Sequence, residues 1–497
     1  MAMASTRTGR LLLSAVWLVL AGALVREQLA GDAASATAAR ALPAVATVAR
    51  TLAGGEEWLT VHHGSRRVGW THRSTAVDRE GFRFSDESDL LLALLGTPQR
   101  LHTSLRADAD TALRLRSFRF DLTAADQSVS ATGRVEHGRL NVDYAIAGRA
   151  GHLELDARAG MALPFLLRSR IAAARPRPGD RFVEQIFDPT TMQPSALSVT
   201  VAAIEPLELP TGTVQSIVLD EEQGALRSRA WLAPDGGVLR EESPLGFSLV
   251  RATREHALAP LDEVAPLDLA LASRVPVAGE IKNPRTRATL ALHVGGAAAD
   301  RIPDVPPRQQ RDSQGKLRIE RETLPATSPP PDTEARRWLG PSPFVESDDP
   351  VLVRLAREIA APSLDPVERA RRIVAWVAAN LDKRPSASLP SAMHVLETRA
   401  GDCNEHAVLV AALARAAGVP ARVIAGLVYQ DGAFWFHAWN ELWLGRWVAV
   451  DATFAQVPAD ATHVRILEGG PEAHLGLAPL VSAIELSVVA ATPAEGT

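Results

Sequence analysis

The sequence predicts an α+β protein with its strands first and its helices late. Three observations predict it. Apolar residues recur at every second position through much of 55–257, helical spacing with capped starts sets in only beyond residue 345, and strand alternation returns after residue 420. At 497 residues the chain is too long for one hydrophobic core, so two or three domains are expected.

The N-terminus reads as an export element. Arg7 and Arg10 precede the apolar run Leu11 to Val25, which ends at Arg26 and Glu27. A positive segment before about 15 apolar residues is the pattern of a secretory signal, and falls short of the roughly 20 that span a bilayer comfortably. Residues 1–37 are therefore read as a signal peptide or an N-terminal membrane anchor. Either places the body of the protein outside the cytoplasm, in the periplasm or beyond, and the second tethers it to the inner membrane. Residues 28–50, rich in Ala and Thr, read as a tether.

From residue 55 the period becomes two. Trp58 to Val61 and Val68 to Trp70 flank a Gly64-Ser65 turn; Leu140, Val142, Tyr144 and Ile146 alternate after His137-Gly138; Trp231-Leu232 and Val238-Leu239 flank Pro234 to Gly237. Leu113 and Leu115 give way to Phe118 and Phe120, a switch of parity that predicts a β-bulge. Residues 55–257 thus read as one antiparallel β domain. A smaller β layer is expected over 268–325, where Ala288, Leu290, Leu292 and Val294 alternate. The Pro-rich stretch Pro325 to Pro331 then places a linker at 326–344 and the main domain boundary there.

Helices are expected only beyond that linker, in a domain over 345–490. Asp348-Asp349-Pro350 opens one, with Leu352, Leu355, Ala356 and Ile359 on one face; Asp365-Pro366-Val367-Glu368 supplies an N-cap and an N1 proline to the next. A third starts at Asp402-Cys403 and stops at Gly418, with Pro420 just beyond. Strands follow at Arg422 to Tyr429, Phe434 to Trp443 and Trp447 to Asp451, the first two joined by Asp431-Gly432.

Composition excludes several functions. With 53 basic against 58 acidic residues the net charge is -5, which gives no footprint for nucleic acid or anionic membrane. Cys403 is the only cysteine, so no intrachain disulfide can form, and the question is whether its thiol is reactive or inert. An inert cysteine ordinarily sits mid-helix on the apolar stripe. Cys403 instead occupies the first turn of its helix, where free N–H groups and the helix dipole favour a thiolate and can donate to a developing oxyanion.

A base and its orienter lie downstream. His437 shares a strand face with Trp435 and Trp439, and Asp451 ends the next strand, fourteen positions later. An odd-numbered hairpin loop puts the two on one face. A loop of Leu444 to Arg446 sets Trp439 opposite Asp451 with His437 on the diagonal; a loop of Leu442 to Arg446 sets His437 directly opposite. Either brings a carboxylate to the imidazole, as nucleophilic catalysis requires. Cys403 and His406 offer only half a zinc site, so no metal or cofactor is expected. Glu405 and His406 read as polar neighbours shaping the cleft or the helix start, and Glu441 as a hydrogen-bonding partner within the sheet.

Gly401-Asp402-Cys403-Asn404-Glu405-His406, then Arg415 to Arg422, then His437-Ala438-Trp439 with Glu441, then Trp447 and Asp451-Ala452-Thr453 resemble the transglutaminase-like superfamily in its exported bacterial form, over about 345–470. The resemblance implies a papain-like core in which a thiolate attacks an amide or related acyl carbon, and water or an amine resolves the thioester. It maps Cys403 to nucleophile, His437 to base and Asp451 to orienter. The implied substrate is a protein, a peptide or a peptidoglycan peptide. The stretch Leu381 to Arg384 departs from the aromatic found there in many relatives, so the second oxyanion donor stays unassigned. Two other readings remain: an idle module of this type that binds peptide or cell-envelope partners, and a β domain that carries hydrophobic ligands.

Overall fold

The computed structural model describes residues 55–261, 274–384, 391–469 and 484–493, apart from stretches of one to four residues within them. The signal or anchor expected over 1–37, the tether after it and residues 327–328 of the Pro-rich stretch lie outside the described residues. No helix among the described residues is long and apolar enough to cross a membrane. Among the described residues strand predominates, and they divide into two compact units, 55–261 and 274–493.

The first unit is a single antiparallel sheet of fourteen strands. Two meanders build it, and the first and last strands of the unit join them. Gly55–His63 pairs with Phe247–Ala252, setting Trp58 against Ala252 and Val61 against Leu249. The parity switch is present as a register shift at Asp108/Ala109, where Leu115 faces Ala109 and Phe118 faces Ala107. Leu113 takes a left-handed φ of 54° there, and Leu115, Phe118 and Phe120 all remain buried.

Helices do not wait for the Pro-rich stretch, which corrects the reading above. Pro164–Ala173 is a ten-residue helix in the β unit, and Arg254–Leu258 a short one. The longer helix has no side-chain acceptor at its N-cap Leu163. It also buries Arg168, whose guanidinium meets Glu221 at 2.7 and 2.6 Å and Glu241 at 2.7 and 3.0 Å. A charge on the buried face erases the apolar stripe by which a helix is recognised.

The second unit packs helices Pro350–Ala360, Pro366–Asn380, Ala392–Thr398 and Cys403–Ala416 on a nine-stranded sheet. Their common core holds Leu352, Ile373, Val377, Val408 and Leu409 against Val423, Ala438 and Leu442. The expected N-cap is in place, Asp365 accepting from the Val367 N–H at 3.1 Å. Ala392–Thr398 went unread because seven residues carry too few turns to show a period.

The layer expected over 268–325 is part of this same sheet, so the linker at 326–344 is no boundary. Arg274–Ala278 pairs directly with Ala433–Trp443, Val275 facing Phe434. Arg308 donates to the Asp460 carbonyl at 2.9 Å, and Glu322 accepts from the Ala449 N–H at 3.1 Å. Alternation reports that a strand has one apolar face. It does not report which sheet receives that face.

Candidate active site

Cys403 is the first residue of helix Cys403–Ala416. Asp402 caps the helix, accepting from the Asn404 N–H at 2.9 Å, while Glu405 reaches back to accept from the Asp402 N–H at 2.8 Å. Glu405 is therefore a capping residue. Gly401 makes room for it: a Cβ there would lie 2.3 Å from the Glu405 side chain. His406 Nδ1 lies 2.6 Å from the Asp402 carbonyl oxygen, and burial holds its imidazole below the ordinary histidine range.

The helix leans on the strand Ala433–Trp443. Asn440 Nδ2 donates to the Ala407 carbonyl at 2.9 Å, and the backbone N–H of Ala438 donates to the Cys403 sulfur. The thiol thus meets this strand at the residue after His437.

The hairpin that carries the carboxylate uses the three-residue loop. Trp443 faces Trp447 and Asn440 faces Val450, which puts Asp451 diagonal to His437. His437 Nε2 lies 2.7 Å from Asp451 Oδ2, and both side chains are buried. The second carboxylate oxygen accepts the Thr453 N–H at 2.7 Å, so the group has little freedom to turn. His437 Nδ1 is buried with no hydrogen-bond partner. With Nε2 on Asp451, Nδ1 is the nitrogen left for a thiol.

A further histidine joins the site, and the sequence reading passed over it. His463 opens the strand His463–Gly469, and its Nε2 lies 3.0 Å from the same Asp451 oxygen. The His463 Nδ1 lies 3.4 Å from an Asp460 carboxylate oxygen. Its one sequence signal is the spacing Asp460-Ala461-Thr462-His463 at the start of an apolar strand. That signal does not reveal which strand His463 will lie beside.

Charge alternates through this cluster. Burial alone would raise Asp451, but His437 and His463 outweigh it and hold the carboxyl well below its usual range. Burial works to lower His463, yet Asp460 and Asp451 prevail and raise it. Burial lowers His437, and neighbouring His463 and Arg285 add to that against the pull of Asp451. Protonation is thus favoured at His463 over His437, beside a carboxyl that favours its ionised form. His437, Asp451 and His463 place three ligand-type atoms within 4.8 Å of one another.

The thiol departs from the expectation of a resting thiolate. Burial first, then Asp402, with Glu405 and Asp451 behind, pushes Cys403 well above the ordinary thiol range; the Ala438 N–H opposes this and loses. The helix dipole is real, but a capping carboxylate sits at the same terminus and offsets it. Cys403, His437 and Asp451 are 2%, 3% and 1% exposed.

The remaining singled-out residues are structural. Glu441 accepts from Arg422 at 2.9 and 2.6 Å and pairs with Arg465 at 3.3 Å. Trp439 is core, 1% exposed and packed with Ile424 and Ala449.

A helix-terminal thiol beside a strand carrying a carboxylate-bonded imidazole defines a thiol–imidazole–carboxylate site. Residues 353–452 match the family model of the transglutaminase-like superfamily, and the chain carries a transglutaminase-like domain there. A protein-glutamine gamma-glutamyltransferase of Pseudomonas aeruginosa is 38% identical over 78 residues, which cover 13% of this chain and 11% of that protein. The chain therefore spans about a tenth of the length of that curated relative. Among solved structures, a suspected cysteine protease from Cytophaga hutchinsonii is 20% identical, covering 45% of this chain and 89% of its own at a TM-score of 0.26. A β-barrel-like protein of unknown function from Brucella abortus is 12% identical, covering 41% and 97% at 0.31. Likeness at these scores carries no weight for activity.

Proposed function

We propose that this protein is a cysteine acyltransferase or amidohydrolase acting on the amide of a protein, peptide or peptidoglycan peptide. The observation that carries the reading is the 2.7 Å contact of His437 Nε2 with Asp451, which leaves the buried Nδ1 without a partner. In that arrangement Nε2 holds a proton on Asp451 and Nδ1 presents a lone pair to the Cys403 thiol. The sulfur attacks the amide carbon and its proton passes to His437. His437 then gives that proton to the departing nitrogen as the C–N bond breaks. Water or an amine attacks the thioester, His437 takes a proton from it, and the thiol is restored. In this reading the Cys403 N–H, in the first helical turn, donates to the oxyanion.

The name of the curated relative makes a glutamine side chain the first acyl donor to try. Full-length protein incubated with a glutamine-rich protein should release ammonia, and a fluorescent primary amine should be incorporated when present. Mass spectrometry of the quenched enzyme should show an acyl adduct on Cys403. If no donor gives Cys403-dependent ammonia, amine incorporation or adduct, the enzyme reading is lost. The near-complete burial of all three residues favours a second reading, an idle module that binds peptide or envelope partners. That reading expects saturable partner binding unaffected by Cys403→Ser.

The Arg-flanked apolar run at Leu11–Val25 supports an extracytoplasmic location, with the anchor form tethered to the inner membrane. A reporter fused after residue 60 should be active only outside the cytoplasm. Activity confined to the cytoplasm would end this proposal.

A further inference from the structure

A buried carboxylate beside a neutral imidazole has no countercharge and tends to take up a proton. Asp451 is in that position with respect to His437, and a protonated Asp451 would stop orienting it. The fold supplies a countercharge from the other side. His463 Nε2 lies 3.0 Å from Asp451 Oδ2, the oxygen that His437 also uses at 2.7 Å. Behind His463, Asp460 is itself secured by the Thr462 N–H at 2.7 Å and by Arg285 at 3.0 Å. Arg285 also lies 4.0 Å over the Phe454 ring, and that ring is 5.3 Å from His437.

We propose that His463 is a positioning residue, anchored by Asp460, which donates to Asp451 Oδ2 and so keeps that carboxylate ionised and fixed on His437. The proposal rests on the acyl-transfer reading for its rate consequences, but not for its state. Four titratable or charged groups face it: Asp451, Asp460, His437, with rings 5.5 Å apart, and Arg285 beyond Asp460. Two carboxylates lie nearest and carry opposite charge, which favours the imidazolium; Arg285 is held off by Asp460. Trp439 packs edge-on against His463 at 5.2 Å, and both side chains are buried.

The test uses the full chain with 15N-labelled histidine, signals being assigned by His463→Gln and His437→Gln. In wild type, the His463 ring should stay doubly protonated well above pH 6.5, where a free histidine is largely neutral. His437 should be a neutral ring carrying its proton on Nε2. His463→Gln keeps a donor and loses the charge, and Asp460→Asn loosens the anchor. Each should lower kcat by roughly 10-fold to 100-fold, by analogy with outer partners that orient metal-bound histidines. Each should also move the acid limb of the pH profile upward, because Asp451 then takes a proton more readily. A merely structural role would lower thermal stability and leave that limb in place. A wild-type His463 that titrates at or below 6.5, or an unmoved acid limb in a folded His463→Gln, overturns the proposal. If wild type catalyses no acyl transfer the enzyme reading falls, while the 15N signals still decide the state of His463. Should the variants fail to fold, the wild-type titration decides alone.

Discussion

Asp451→Asn lowers acyl transfer by on the order of 10²–10⁴, the scale on which an orienting carboxylate acts in nucleophilic enzymes. The amide keeps the shape of the side chain, and its oxygen can still accept the Thr453 N–H, bonded at 2.7 Å in the native protein. It loses the charge that stabilises a His437 imidazolium. Its NH2 group also faces two imidazole nitrogens where an acceptor stood, so His437 is driven to the other tautomer. Cys403→Ser goes further and removes turnover, since a hydroxyl is much harder to deprotonate than a thiol. These losses should come with slow alkylation of the resting wild-type thiol at neutral pH, rising only on the alkaline side, because burial and the Asp402 carboxylate hold the thiol neutral. Initial rates and an alkylation–pH curve for wild type and both variants provide the check. Unchanged turnover in Asp451→Asn removes Asp451 from the mechanism.

Glu441→Ala destabilises the 274–493 unit by up to about 3–5 kcal/mol, because it removes one of the two carboxylates, Glu441 and Glu468, that buried Arg422 and Arg465 share. Arg422 and Arg465 are each 5% exposed and both bond Glu441, which is 3% exposed. Burial would raise the Glu441 carboxyl, but Arg465 and Arg422 outweigh it and lower it. Its contribution is therefore complete above the unfolded carboxyl range near pH 4.3 and is lost as pH falls through the lower folded value. The unfolding midpoint should drop by roughly 6–20 °C. Glu441→Gln, which keeps the hydrogen bonds, should recover part of that. A loss under about 1 kcal/mol would mean that Glu468, already paired with both Arg422 and Arg465, is countercharge enough for the two.

The local chemistry of the site was written in the chain. Cys403 follows a capping aspartate and precedes a helical run, so its place at a helix start follows from local preference alone. Arg422 and Glu441 are equidistant from the Asp431-Gly432 turn, so a two-residue hairpin forces them opposite one another. The odd-loop argument brought His437 and Asp451 together, and pairing of Trp443 with Trp447 selected the three-residue form.

Tertiary structure decided the rest. Strand alternation marks a buried face without naming the neighbour. For that reason the fusion of 274–320 into the second sheet, and with it the reach of Arg285 and Arg308 to Asp460, could not be read. His463 joined the site through pairing of His463–Gly469 with Ala421–Gln430, a long-range contact with no local cause. The state of the thiol was settled the same way. A helix dipole is a local property readable from position, but desolvation and the carboxylates around Cys403 belong to the packed unit. Sequence fixes which groups can ionise; burial and neighbours fix which of them do.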